Sequence, residues 1–280
     1  MKIKITSDST CDLSKEQIEK YGIEIMPLSV AMGDQNYHDG VDIHPDAIYA
    51  HVAEGGDLPK TAANNIADYM EVFGKCAAEY DAVIHLNISA EFSSCYQNAC
   101  LAAEDFENVY VVDSRNLSTG HGLLVLKAVE LAESGMDAAA IAEELRETAN
   151  RVDASFILDQ LEYLKKGGRC SAVAVLGANL LKLKPCIEVV DGKMGVGKKY
   201  RGAFSKSLKD YINDRIGGRE DLELDRVFIT HSGISQELLD MAVETVKELQ
   251  PFKDVYVTRA GCTVSSHCGP NTIGVLFIRK

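Results

Sequence analysis

The sequence predicts an α/β protein of two domains, an N-terminal parallel-sheet domain over residues 1–153 and a C-terminal mixed-sheet domain over residues 154–280. Three observations predict it. Short apolar runs alternate with helical periodicity through the first half, the pattern of a parallel sheet covered on both faces. The second half adds a hairpin signal, Asp191-Gly192, before strands and helices alternate again. A chain of 280 residues is also too long for one small core.

The elements follow in order. Residues 2–6 alternate as a strand and end in Ser7-Asp8-Ser9-Thr10. Ser14-Lys15-Glu16-Gln17 is a capping box, and Gly22 stops its short helix. Residues 23–30 read as a second strand and 33–36 as a turn. Pro45 opens a helix over residues 46–52, Gly55-Gly56 ends it, and residues 58–61 are extended loop around Pro59. Asn64 is the expected cap of a helix carrying Ile66, Tyr69, Met70 and Phe73 on one face. Strands follow at 81–88 and 109–112, then helices near 120–133 and 137–150. In the second half, a strand at 155–158 leads to a helix at 161–166 closed by Gly167-Gly168-Arg169, and to an apolar helix at 171–181. The hairpin pairs 186–190 with 194–199. A helix (205–216), a strand (226–230), a helix (235–249) and strands at 255–259 and 272–278 complete the chain. Gly261, Gly269, Pro270 and Gly274 mark a shaped loop around His267.

Composition removes several function classes. A net charge of −13 argues against nucleic acid or an anionic membrane as a general partner. The eight cysteines include no Cys-x-x-Cys and no zinc spacing. The N-terminus lacks the apolar core of a signal peptide, and no apolar run is long enough to span a bilayer, so no stable membrane insertion is expected. The expected location is the cytoplasm, with reduced thiols.

The densest chemistry lies at residues 81–99, where a buried strand feeds a helix through a hydroxyl-rich turn. Side-chain hydroxyls, free backbone N–H groups and the positive end of a helix dipole meet there, a good place to hold an anion. Ser93 is the first candidate; the plainer reading is an ordinary helix cap. In a parallel sheet, ligands sit beyond the carboxyl ends of the strands, where the turns at 7–10, 89–94 and 113–114 converge, with 59–61 nearby. His38, Asp39, Asp42 and His44 resemble a loose metal cluster, for which a turn and a helix cap are the better account. The glycines at 192, 195 and 197 sit on a hairpin, so they are not a dinucleotide fingerprint. There is no P-loop and no Gly-x-Ser-x-Gly elbow. A serine hydrolase acting on lipid esters through Ser93, His267 and Asp8 remains the alternative. Lys165, Lys166 and Arg169 place three cations at a helix C-terminus, which the helix dipole also accounts for.

Six segments together resemble the DegV family: residues 6–13 (Thr-Ser-Asp-Ser-Thr-Cys-Asp-Leu), 39–43, Pro59-Lys60-Thr61, 92–97, 161–169 and His267-Cys268-Gly269-Pro270. They span nearly the whole chain in the family's order. The resemblance implies a Rossmann-like N-terminal domain and a mixed-sheet C-terminal domain, with one long-chain fatty acid in the cleft between them. It implies no catalytic residues, no cofactor beyond the bound lipid, and no metal. Thr61 and Ser93 would hydrogen-bond the carboxylate, with His267 and Gly269 on the segment closing the head-group site. It further implies that the chain presents the carboxylate to a separate ATP-dependent fatty-acid kinase subunit, in phospholipid metabolism, with Arg169 and, more weakly, Arg201 facing that partner. This sequence departs from the family at Ala62, where a second hydroxyl is usual, at Ser94-Cys95 for Gly-Thr, and at Asn271 for Gly.

Overall fold

The computed structural model describes residues 1–174 and 183–280. Its N-terminal half is built on a four-stranded parallel sheet of order β2-β1-β6-β7. These strands are β1 (Ile3–Asp8), β2 (Glu24–Met26), β6 (Ala82–Asn87) and β7 (Val109–Asp113). All six residues of β6 are buried, which is why its sequence is apolar without alternation. The strands are parallel, so Asp8, Asn87 and Asp113 end at one edge.

The single strand expected at 23–30 is broken at Pro27. Proline has no N–H for the ladder, and the chain leaves the parallel sheet after Met26. It re-forms as β3 (Ser29–Met32), antiparallel to β4 (Gln35–His38) and β5 (Lys60–Ala62) in a small separate sheet. The expected loop at 58–61 therefore contains a strand that fixes Thr61 opposite Val30.

Helices α1 (Lys15–Tyr21), α2 (Pro45–Ala53), α3 (Ile66–Glu79), α4 (Cys95–Ala103), α5 (Ser118–Glu133) and α6 (Ala138–Ala149) complete this half. The cap of α3 is Asn65, not Asn64: Asn65 and Asp68 exchange side-chain and backbone hydrogen bonds. Asn64 is buried instead, and its carbonyl accepts from Asn98 Nδ2.

The C-terminal half is a six-stranded mixed sheet of order β10-β9-β8-β13-β11-β12. It comprises β8 (Val152–Leu158), β9 (Leu183–Val190), β10 (Lys193–Arg201), β11 (Arg226–His231), β12 (Asp254–Arg259) and β13 (Thr272–Ile278). Among the described residues only β11 and β12 pair in parallel in this sheet; the Asp191-Gly192 hairpin joins β9 to β10 as expected. Helices α7 (Glu162–Gly167), α8 (Ser171–Ala174), α9 (Phe204–Ile216), α10 (Gln236–Leu249) and α11 (Cys262–Cys268) flank it. The rest of the apolar helix expected over 171–181 lies outside the described residues.

Helix α5 is buried along nearly its whole length because it serves both sheets. Leu123 and Leu124 share one core with Ile5 and Ile84 from the parallel sheet and with Phe228 and Leu276 from the mixed sheet. Among the described residues no helix is long and apolar enough to cross a membrane.

The loop expected around His267 contains a helix, α11. The N-terminus of α11 is satisfied from far away in sequence: Asp39 accepts from the N–H groups of Cys262 (2.6 Å) and Thr263 (2.9 Å). Asp12 accepts from the N–H of Gly261 at 2.8 Å. These carboxylates fix where α11 begins, and hence where His267 stands on its last turn.

Candidate ligand cavity

A cavity of about 130 Å³ opens between the two halves at the carboxyl end of the parallel sheet. Its wall is chiefly apolar, from Leu28, Ile88, Phe92, Leu117, Met194 and Val264. Thr61, Ser93, His267 and Arg169, four side chains named from the sequence, all line it. Four different parts of the fold deliver them: β5 carries Thr61, the turn before α4 carries Ser93, α11 carries His267, and the segment after α7 carries Arg169.

The polar contacts are specific. Thr61 Oγ1 and His267 Nε2 are hydrogen-bonded at 2.9 Å. Burial, reinforced by the nearby charge of Arg169, pushes the His267 imidazole down to about 4, so it is neutral at neutral pH. Its Nδ1 is buried with no hydrogen-bond partner among the described residues. Ser93 Oγ accepts from the Cys95 N–H at 3.3 Å and donates to Cys95 Sγ at 3.1 Å. Ser93 therefore satisfies the first N–H of α4 from one residue ahead of the cap position, Ser94, whose own side chain makes no capping bond, and it also lines the cavity. Thr263 was missed by sequence reasoning. It lines the cavity, is 5% exposed, and its Oγ1 is buried without a partner among the described residues. Only the fold could reveal it, because its place depends on Asp39 holding the start of α11.

Arg169 is exposed at the rim, where its guanidinium donates to the Gly167 carbonyl at 3.0 Å. Gly269 and Arg201 are elsewhere. Gly269 caps α11 with φ +73°; its N–H goes to Ser265, its carbonyl accepts from Ser232 Oγ, and the Tyr163 ring lies where a Cβ would project. Gly269 shapes the segment after His267 rather than lining the cavity. Arg201 is exposed at the end of β10, away from the cavity wall.

Of the departures, Ala62 and Ser94 line the cavity, and Cys95 lies behind Ser93 as its hydrogen-bond partner. Asn271 adopts φ +57°, the left-handed conformation that asparagine tolerates better than most residues, so the backbone path expected of glycine is kept.

Ser93, His267 and Asp8 do not form a relay. His267 Nε2 is hydrogen-bonded to Thr61. Asp8 is fully buried and accepts from the Ile88 N–H (2.7 Å), the Thr10 N–H (3.0 Å) and Thr10 Oγ1 (2.5 Å). Asp39 is engaged by α11 and Ser9, and Asp42 accepts from the His38 N–H at 2.5 Å, so these carboxylates serve a cap and a turn. Among the described residues no group of three or more His, Cys, Asp or Glu side chains is placed to hold a metal ion.

Comparisons with known proteins place the whole chain. A "DegV domain-containing protein" of Clostridium perfringens is 34% identical over 290 residues, covering 100% of this chain and 99% of the relative. A Thermus thermophilus DegV family protein, whose structure is described by its fatty acid binding, superposes with a TM-score of 0.90 at 31% identity over 100% of both chains. A stearic acid-binding protein of Eubacterium ventriosum superposes with a TM-score of 0.82 at 29% identity, covering 99% of this chain and 98% of that one. The family model described as "Uncharacterised protein, DegV family" matches residues 2–280, and the chain belongs to the DegV family.

Proposed function

We propose that this protein binds one long-chain fatty acid, with the carboxylate between Thr61 and Ser93. The observation that carries the reading is the distribution of polar atoms. Thr61, Ser93, Thr263 and His267 gather in a cavity whose remaining wall is mainly apolar, and two of them have a buried atom without a partner among the described residues. Hydroxyl donors suit a carboxylate, and the apolar wall suits an alkyl chain, for which each buried CH₂ contributes about 0.8 kcal/mol. The solved relatives described as binding fatty acids support the same ligand class. Denaturing extraction of the purified protein followed by mass spectrometry tests it. A near-stoichiometric fatty acid is expected, and Thr61→Val with Ser93→Ala should weaken rebinding by at least tenfold. Failure of the delipidated protein to bind any long-chain fatty acid refutes the function; unchanged affinity in the double variant refutes the clamp.

The second part of the reading is that the protein acts as a non-catalytic subunit, presenting the carboxylate to a separate ATP-dependent kinase. Support comes from Arg169, an exposed cation on the rim beside exposed Lys165 and Lys166 on an otherwise acidic chain. Such a patch steers an acidic or phosphate-bearing partner. Arg169→Ala should lower acyl-phosphate formation by a supplied kinase while lipid affinity holds. Equal acyl-phosphate yield across kinase and salt concentrations refutes this role.

A further inference from the structure

A chain of polar side chains runs through the core behind Ser93, between β6 and α3. It begins at Asp8, whose Oδ2 accepts from the Ile88 N–H at 2.7 Å and from Asn87 Nδ2 at 3.3 Å. Asn87 Nδ2 also donates to the Tyr69 hydroxyl oxygen at 3.0 Å. The amide is fixed in this orientation, because turning it over would set its Oδ1 against the Asp8 carboxylate, oxygen against oxygen. The Tyr69 oxygen is thus an acceptor on that side, and its own hydrogen must go elsewhere. Cys95 Sγ stands beside this hydroxyl and can receive it. Tyr69 is fully buried, with the rings of Phe73 and His85 at centroid distances of 5.6 and 5.3 Å, so the hydroxyl has little freedom to move.

The Ser93 hydroxyl points at the same sulfur, at 3.1 Å. Its oxygen accepts from the Cys95 N–H at 3.3 Å, which holds Ser93 in place wherever its hydrogen turns. Burial, with Asp8 adding to it, pushes the Cys95 thiol up to about 11, so the sulfur keeps its own hydrogen and is a weak acceptor. Two hydroxyls therefore share one weak acceptor. Ser93 has an alternative, since it lines the cavity; Tyr69 is not part of the cavity wall.

We propose that Cys95 Sγ is the resting place of the Ser93 hydrogen before a carboxylate arrives, and that Tyr69 is a positioning residue which, by donating to the same sulfur, frees that hydrogen for the ligand. This rests on the fatty-acid reading above and adds to it what sets the strength of the Ser93 contact. On arrival of a carboxylate the Ser93 O–H turns from sulfur to oxygen, a better acceptor, and the sulfur keeps the Tyr69 donor. Without the Tyr69 hydroxyl, the sulfur holds the Ser93 hydrogen more firmly and the ligand must draw it away.

Calorimetric titration of hexadecanoate into the delipidated protein tests this. Tyr69→Phe keeps the ring and removes only the oxygen. It should weaken binding about threefold to tenfold, the range of one ordinary hydrogen bond. In a Ser93→Ala background the same change should shift affinity by less than about twofold, because the group it acts through is gone. Cys95→Ala should act in the opposite sense. With the sulfur removed, the Ser93 hydrogen has no rival acceptor, so affinity should rise about twofold to fivefold. A loosened core does not tighten binding, so this gain separates release of Ser93 from structural damage, and it keeps the proposal testable if urea melts show Tyr69→Phe to be unfolded. An equal loss from Tyr69→Phe with and without Ser93 overturns the proposal, as does unchanged or weaker binding in Cys95→Ala. If wild type fails to bind hexadecanoate at all, it is the fatty-acid reading that has failed.

Discussion

Replacing Gly167 with alanine isolates the contribution of the His267 imidazole. Gly167 is the last residue of α7, and a Cβ built there would lie 2.4 Å from His267 Nδ1. Ordinary contact needs about 3.5 Å, so the overlap is ~1 Å. The ring cannot slide away, because its other nitrogen already meets Thr61 Oγ1 at 2.9 Å. It must turn out of its place. The ring yields more easily than the backbone, so the cost to stability is small, ~1 kcal/mol for the lost hydrogen bond and an altered rotamer.

Affinity should suffer more. Thr61 loses the partner that orients its hydroxyl, and a hydrogen bond to a charged group contributes roughly 1.5–3 kcal/mol. The expected loss for hexadecanoate is therefore about tenfold to a hundredfold. Displacement of a fluorescent fatty acid gives the affinity, and urea melts give the stability. The decisive comparison adds His267→Ala: with the imidazole gone, the new methyl has nothing to displace, and the two losses should not add. If Gly167→Ala weakens binding by the same factor in the His267→Ala background, it acts by another route, and the wedged-ring argument is wrong.

Gly269→Ala should destabilise by ~2–4 kcal/mol in urea melts, since φ is +73° and a Cβ would lie 2.6 Å from the Tyr163 ring; a change under 0.5 kcal/mol contradicts that crowding. Asp39→Ala should cost ~2–3 kcal/mol and weaken fatty-acid binding as well, because it frees the N-terminus of α11 that carries Thr263 and His267; loss of stability without loss of affinity breaks this link. Acidification should expose the burial of His267. Its folded pKa is about 4 against an ordinary 6.5, so below pH 6.5 the unfolded chain takes a proton that the folded protein refuses. That stability is whole above pH 6.5 and is lost as pH falls toward 4, by ~3 kcal/mol at most. His267→Gln should thus lose less stability than wild type between pH 7.5 and 4.5, and equal losses count against a buried neutral imidazole.

Local signals carried much of the fold into view. The capping box at Ser14, the Asp191-Gly192 hairpin and the apolar run of β6 each depend on neighbours in sequence, and each stands as read. What could not be read depends on distant partners or on one backbone atom. Pro27 sits inside an otherwise convincing apolar strand, and its missing N–H divides that run between two sheets. The glycines around His267 suggested a loop because the carboxylate capping α11 lies 223 residues earlier. The same limit applied to the site. Thr61, Ser93 and His267 stand out as polar residues beside Pro, a strand end and Gly, whereas Thr263 looks like any helical threonine until the fold buries its hydroxyl. Gly269, marked by the same motif as His267, is placed by the structure in the backbone geometry that supports the site.

The neutrality of His267 bears on how a site with little fixed charge accommodates an anion. A neutral imidazole carries its proton on one nitrogen at a time. With the proton on Nδ1, Nε2 accepts from Thr61, whose hydroxyl hydrogen is then turned away from the cavity. With the proton on Nε2, the imidazole donates to Thr61 Oγ1, and the hydroxyl hydrogen is released toward the ligand. The 2.9 Å contact suits both arrangements. On the proposed reading, a carboxylate beside Thr61 would gain a donor only in the second, so its arrival would select that tautomer. The site becomes a better anion receptor by moving a proton across one ring, without a buried positive charge to desolvate. Arg169 helps by standing at the rim, where its charge opposes protonation of His267 while its guanidinium stays in water. On the proposed reading, the carboxylate is held by hydroxyls rather than locked in a buried salt bridge, an arrangement that would leave its oxygens available to a partner at the cavity mouth.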